Sequence, residues 1–321
     1  MTDAPARGGR RATTGFETMS VGLHIESVAP ADWPALAQFL FAANRIDGDV
    51  RCLHSHAGLD AAAYADELSS LPPDQACYVA ARQDGELIGV AGAEYDAALG
   101  RAWLRGPLVA SGRDFGAAAA PLLAALCAQL PPRILQQDVF VSSNCAEAID
   151  FFRSQGFARE AAYGEYTSLR PAAVPAALPR GIAVVAPEPR WRAAIGSLHE
   201  SEFSRAYVSA DALFEADSPD RLTRVALLDG APAGYVRVHF DAQWQEGYVD
   251  FLAVAPASRR RGVARALLQA ACDWSFAQPG ARAVTLTVRD DRDAARALYE
   301  AMGFRRVRIC IGLRRMSGHQ G

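Results

Sequence analysis

Two stretches of the chain occur twice. "DGELIGVAGAEYD" (84–96) is matched by "DGAPAGYVRVHFD" (229–241) in its Asp-Gly opening, a glycine four residues after that glycine, and a closing aromatic-Asp. "AIDFFRSQGF" (148–157) is matched by "ARALYEAMGF" (295–304). The offsets, 145 and 147 residues, are nearly equal and the order is the same, so the chain must build one fold twice. Its 321 residues suit two domains at roughly 100 to 200 residues each. The expected division is a disordered leader over 1–20, a first domain over 21–170, a proline-rich linker "PAAVPAALPR" over 171–180, and a second domain over 181–321.

Each copy reads as an α/β unit. In the second, the strand "GIAVVAP" precedes helical stretches near 189–202 and 209–217. A hairpin then turns at Asp229-Gly230 between "RVALLDG" and "AGYVRVHFD". The long strand "GYVDFLAVAP" leads into a helix opened by "RRRGVARALL". After it come the strand "AVTLTV", the helix "DAARALYEAMG" closed by Gly303, and two final strands through "FRRVRICIGLRRM". An antiparallel meander feeding strand-helix-strand-helix-strand gives a mixed, mostly antiparallel sheet with packed helices.

A net charge of −3 excludes a generalised nucleic-acid binder, so any anion site must be local. The chain has no lysine, so every side-chain cation available to a phosphate is a guanidinium. The six cysteines are scattered without a CxxC pair and read as reduced thiols, mostly buried. Cys52, His54 and His56 form C-x-H-x-H in a long loop, but no second ligand cluster accompanies them and no metal is expected. The leader lacks an apolar segment and no run approaches the ~18 apolar residues of a membrane span, which suits a cytoplasmic protein without a membrane partner. Met19 offers an alternative start.

The stretch "RRRGVARALL" (259–268) carries the clearest chemistry. The first amides of a helix lack intrahelical partners and carry the positive end of its dipole, so this turn attracts an anion. Gly262 and Ala264 are small enough to let a phosphate approach the backbone, and Arg259, Arg260, Arg261 and Arg265 surround it with charge. The alternative is an arginine-rich, solvated helix start.

Arg259-x-x-Gly262-x-Ala264 after "FLAVAP", followed by "ALYEAMGF", resembles the Gcn5-related N-acetyltransferase (GNAT) superfamily. The resemblance covers residues 181 to 316 and, more weakly, 22 to 170. It implies two tandem GNAT-like domains, each a mixed, mostly antiparallel sheet with helices on both faces. It also implies acetyl-CoA as co-substrate, with its pyrophosphate on Arg260, Arg261, Gly262, Val263, Ala264 and Arg265 and its pantetheine arm along Leu252, Ala253 and Val254. A backbone N–H near Val254 would hold the oxyanion. Tyr299 stands at the general-acid position, or is simply an aromatic packed on the sheet. Asp250 is the candidate for handling the amine proton, or else binds a cationic substrate or a neighbouring arginine. Alternation puts Tyr248 and Asp250 on the same face as Val254. His199, Glu200 and Glu202 fall near the substrate-gating helices and read chiefly as solvated helix residues. Arg292 stands where the family often has Asn.

In the first copy, Arg113-x-x-Gly116-x-Ala118 matches the phosphate pattern without the flanking arginines. Pro121 falls where the helix should be established, Gly106-Pro107 interrupts the preceding strand, and Phe152 replaces Tyr299. A supporting role without catalysis is expected of it. The whole reads as an N-acetyltransferase active in its second copy, transferring to a small-molecule or peptide amine, as a monomer or homodimer. The alternative is a non-catalytic acyl-CoA-binding or partner-binding protein on the same fold.

Overall fold

Alternating apolar runs closed by Asp-Gly turns, and apolar helices closed by glycine, organise both copies. The computed structural model describes residues 22–46, 49–51, 60–169, 179–203 and 206–316. The first copy has strands β1 (Leu23–Val28), β2 (Arg45–Ile46), β3 (Asp49–Val50), β4 (Ala76–Gln83), β5 (Glu86–Asp96), β6 (Arg101–Val109), β7 (Gln136–Ser142) and β8 (Ala158–Ser168). Its helices are α1 (Ala37–Ala43), α2 (Ala61–Ser70), α3 (Phe115–Gln129) and α4 (Ala146–Ser154). The second has β9 (Ile182–Val185), β10 (Arg221–Leu228), β11 (Ala231–Asp241), β12 (Glu246–Val254), β13 (Ala283–Arg289) and β14 (Arg305–Met316), with α5 (Arg192–Glu202), α6 (Val263–Phe276) and α7 (Asp293–Ala301). The leader, most of the linker, and the Cys52, His54 and His56 motif lie outside the described residues.

Both hairpins turn where Asp-Gly predicts. Asp84 and Gly85 (φ 52° and 81°) and Asp229 and Gly230 (φ 52° and 84°) are left-handed pairs, the geometry whose twist matches that of the strands. Three expectations change. The stretch near 209–217 forms only a 3₁₀ turn, Asp211–Phe214. The last segment is one strand, β14, with irregularities after Arg306 and Gly312, instead of two. Pro121 and Gly106-Pro107 break neither α3 nor β6. Pro121 lies on the exposed side of α3, where water can satisfy the carbonyl it leaves free, and Gly106-Pro107 is absorbed as a register shift against β5.

The larger sheet is continuous through both copies, with strand order β1-β4-β5-β6-β7-β14-β8-β13-β12-β11-β10-β9. Each copy is antiparallel except for one parallel pair, β6 with β7 and β12 with β13. The terminal strands are exchanged. β8, from the first copy, pairs with β13 of the second, while β14, from the second, pairs with β7 of the first. β8 and β14 pair with each other at the centre of the sheet.

Helices cover both faces. In the second copy α6 packs with Val236, Val238, Val249 and Val254 on one face, whereas α5 packs with Tyr235, Phe251 and Ala253 on the other.

Candidate active site

The mouth of α6 is built from backbone. After the 3₁₀ turn Pro256–Ser258, Arg260 (φ 62°) and Gly262 (φ 88°) are both left-handed, and Gly262 is the helix N-cap with no side chain capping the turn. The amides that follow it are open to an anion, and left-handed residues at such a turn aim successive N–H groups inward. A Cβ on Gly262 would come within 2.8 Å of Pro179 Cγ, so sterics as well as φ demand glycine. The four arginines differ in availability. Arg259 donates from Nε to Val254 O at 3.0 Å and pairs with Glu202, and Arg261 pairs with Asp229 at 3.1 Å. Arg260 and Arg265 have no ion-pair partner among the described residues.

Beside this mouth the sheet opens. The parallel ladder of β12 with β13 ends at Val249 and Leu286, so residues 250–254 have no ladder partner on that side. On the other side, Ala255 N–H donates to Ala233 O at 2.8 Å. Counting back along the antiparallel ladder, the amides of Leu252 and Val254 point away from β11 and into the opening. The Val254 carbonyl there accepts from Arg259.

Asp250 itself is a β-bulge: Arg237 opposes Phe251, Val238 opposes Val249, and Asp250 is the extra residue. The bulge overturns the expected parity. Val249 packs on the α6 face with Val254, yet Phe251, two residues after Val249, packs on the α5 face with Ala253. Tyr248 and Asp250 therefore face α5, while Leu252 and Val254 face α6.

On the α5 face Asp250 is held by two donors. Its Oδ1 accepts from Tyr207 Oη at 2.5 Å and meets His239 Nδ1 at 2.9 Å, and its side chain is only 4% exposed. The His239 ring lies 5.5 Å from that of Tyr248. Burial works against a charge on His239, but the hydrogen bond and charge of Asp250, with Asp241, outweigh it and raise the imidazole pKa. Neighbouring Arg237 is buried and donates to Ala212 O at 2.7 Å. The sequence reading singled out none of His239, Tyr207 and Arg237. A signal existed for two: Tyr235, Arg237, His239 and Asp241 alternate along β11, placing polar groups on one face of a strand that is otherwise apolar.

Tyr299 sits in the last turn of α7, fixed by the way that helix ends. Phe304 N–H donates to Tyr299 O and Gly303 N–H to Glu300 O, both at 3.0 Å, a Schellman motif with Gly303 at φ 89°. The Tyr299 ring lies 6.1 Å from Phe304 and 6.1 Å from Tyr166, which the first copy supplies on the exchanged strand β8. Burial pushes its phenol up to about 12, so it stays protonated at neutral pH. Its hydroxyl has no hydrogen-bond partner among the described residues.

Other expected contacts are placed differently. His199 is buried rather than solvated, with Nδ1 2.5 Å from Tyr235 Oη and Nε2 2.9 Å from Val208 O. Glu202 is taken by Arg259, and Glu200 is exposed. Arg292 is the N-cap of α7, its carbonyl accepting from the amides of Ala295 and Arg296. Cys145, Cys272 and Cys310 are buried and Cys77 and Cys127 half-buried; burial pushes the Cys77 and Cys272 thiols up to about 12, leaving them inert. Among the described residues no group of three or more His, Cys, Asp or Glu is placed to hold a metal, and no helix is long and apolar enough to cross a membrane.

The first copy keeps the opening but changes its contents. Gly116 does not stand where Gly262 does: it lies inside α3, whose N-cap is Asp114, with Oδ1 accepting from Ala117 N–H at 3.0 Å. A carboxylate thus occupies the mouth. Pro107, at the register position of Leu252, has no N–H to offer. Arg105 and Glu94 stand where the second copy has Asp250 and His239, and Arg105 pairs with Glu94 and, at 2.5 Å, with Glu67. Phe152 fills the place of Tyr299 in an aromatic cluster with Phe151 and Phe157.

Both the sheet with its parallel opening and the helix mouth beside it belong to one class of α/β fold. Over 92% of this chain and 95% of the other, the structure superposes on a GCN5-related N-acetyltransferase from Sphaerobacter thermophilus with a TM-score of 0.69 at 19% identity. A tandem GNAT protein from the clavulanic acid biosynthesis pathway superposes over 94% of this chain and 100% of its own, with a TM-score of 0.65 at 17% identity. In sequence, residues 190–304 match the acetyltransferase (GNAT) family model. A segment of 70 residues is 48% identical to the N-alpha-acetyltransferase RimI of Mycobacterium tuberculosis, covering 22% of this chain and 42% of that relative's length. Residues 190–304, the bulk of the second copy, are thus similar in sequence to the GNAT family, and the fold of the whole is the one these solved structures share.

Proposed function

We propose that the chain is an N-acetyltransferase that moves the acetyl group of acetyl-CoA to a primary amine by direct attack, in its second copy alone. The observation that carries this reading is the uncapped mouth of α6 beside the unpaired edge of β12. The amides of Val263, Ala264 and Arg265, with the guanidiniums of Arg260 and Arg265, which have no ion-pair partner among the described residues, suit a pyrophosphate. The open edge at Leu252, Ala253 and Val254 suits the amide-bearing pantetheine arm, as a strand edge suits an added strand. The Val254 N–H would then stabilise the oxyanion of the tetrahedral intermediate. Tyr299, neutral and without another hydrogen-bond partner among the described residues, would protonate the departing thiolate. A small-molecule or peptide amine in the cytoplasm is the acceptor in this reading. The RimI relative, an N-alpha-acetyltransferase by name, puts peptide N-termini on the panel to be tested.

The test is thiol release from acetyl-CoA against polyamines, amino sugars and peptides with free N-termini, with acetyl-CoA affinity measured in parallel. Turnover of at least one amine, falling about 10²-fold in Tyr299→Phe with affinity retained, is the expected result. Tight binding with no turnover across the panel would leave a non-catalytic acyl-CoA-binding protein.

A further inference from the structure

The geometry points to His239, held by Asp250, as the group that takes the proton from the attacking amine. This rests on the proposed acetyl transfer and reassigns one of its parts. Asp250 is poorly placed to accept a proton from substrate: its side chain is 4% exposed, and its Oδ1 is engaged by both the Tyr207 hydroxyl and the His239 ring. His239 is the reverse. Its side chain is 45% exposed, Nδ1 is directed onto Asp250, and Nε2 has no partner among the described residues. A carboxylate on Nδ1 holds the proton there, leaves the lone pair on Nε2, and stabilises the imidazolium that forms when Nε2 accepts a proton.

The bulge separates the two sets of residues. Tyr248 and Asp250 lie on the α5 side, where β11 presents His239, while beyond the extra residue Leu252 and Val254 are turned to the α6 side. The groups facing His239 are Asp250 and Tyr248 on β12, Arg237 and Asp241 on β11, Glu246 at the start of β12, and Asp220 and Arg221 at the start of β10. Among these, the charge of Arg237 opposes protonation of the ring, and it too interacts with Asp250.

The proton balance is simple. The amine nitrogen bonds to the acetyl carbon, the C–S bond breaks, the proton lost by nitrogen passes to His239 Nε2 and on to solvent, and Tyr299 protonates the thiolate. Asp250 is a positioning residue and keeps its charge throughout.

The experiment uses the full chain with acetyl-CoA and the best amine of the panel, following kcat/KM from pH 5 to 9. Expected for wild type is an acid limb whose midpoint lies above the ordinary histidine value of about 6.5. His239→Gln should lose about 10²-fold in kcat and lose that limb, with acetyl-CoA affinity unchanged. Asp250→Asn should keep the limb but move its midpoint down, because the carboxylate that raises the imidazole pKa is gone. Wild-type rates and an unchanged limb in His239→Gln, with activity lost only in Asp250→Asn, would return the base to Asp250. Should His239→Gln fail to fold, the ¹⁵N shifts of the His239 ring in wild type decide: Nδ1 protonated and Nε2 bare at high pH is expected, and the opposite tautomer overturns the assignment. Absence of wild-type turnover with every amine would bring down the transferase reading and this assignment with it, which separates the two failures.

Discussion

One oxygen atom separates Tyr299 from Phe152. Both rings sit in the last turn of their helix, both turns close through a glycine and a phenylalanine that donate back to the helix, and both rings are buried. The shared scaffold predicts that Tyr299→Phe folds normally, so that a rate loss with unchanged thermal stability reads the hydroxyl alone, and that Phe152→Tyr creates no second active site. His239 makes a separate prediction about stability. Its pKa is raised by folding, so the stabilisation it contributes is full below its unfolded value of about 6.5 and disappears as pH rises through the higher folded value. Denaturant midpoints of wild type and His239→Gln should accordingly lie furthest apart at about pH 6 and converge by about pH 9. The roles expected of Tyr299 and Asp250 came from their places in a motif. What alternation along β12 could not reveal was the bulge: nothing in "GYVDFLAV" marks Asp250 as the extra residue, and a single insertion reverses every side chain beyond it.

At the level of elements, α3 and α6 differ most where they begin. Gly262 leaves the mouth of α6 without a side-chain cap, whereas Asp114 closes that of α3 with its own carboxylate. Gly262→Glu should abolish acetyl-CoA binding, by adding a charge and a strained φ, while Gly116→Glu leaves it unaltered; isothermal titration of the two variants checks this. Asp114→Ala should destabilise the chain by about 1 kcal/mol in denaturant unfolding without creating a second acetyl-CoA site, because Pro107 still withholds its amide. The elements were largely legible because each carries a local signal: Asp-Gly at the hairpins, glycine after α4 and α7, Pro256 after β12. Residue spacing, however, aligned Gly116 with Gly262, although Gly116 stands inside its helix. Caps depend on where the chain leaves extended geometry, and the short Arg-x-x-Gly-x-Ala pattern does not record that.

For the whole molecule, the exchange of β8 and β14 outweighs any local contact. Two tandem repeats suggest two units that each close their own sheet, and the sequence cannot distinguish that from the exchanged arrangement. β8 and β14 occupy equivalent places in the repeat, so either strand satisfies the same neighbour by pattern. The structure puts β8 against β13 and brings Tyr166 to Tyr299. A fragment spanning 181–321 would expose the edge of β13 and the apolar surface beneath it, and is predicted to aggregate or self-associate when expressed alone. Co-expression with 21–170 should restore a soluble one-to-one complex, visible by size-exclusion chromatography.

The same exchange bears on how such a chain can change over generations. A duplicated copy that carries no chemistry would ordinarily be free to be deleted, leaving its sibling to work alone. Here each half holds the other's last strand, so losing one half would dismantle the other. On the proposed reading, Phe152, Pro107 and Asp114 remove the chemistry of the first site without releasing the second from the scaffold around it. The first repeat would then be kept as architecture.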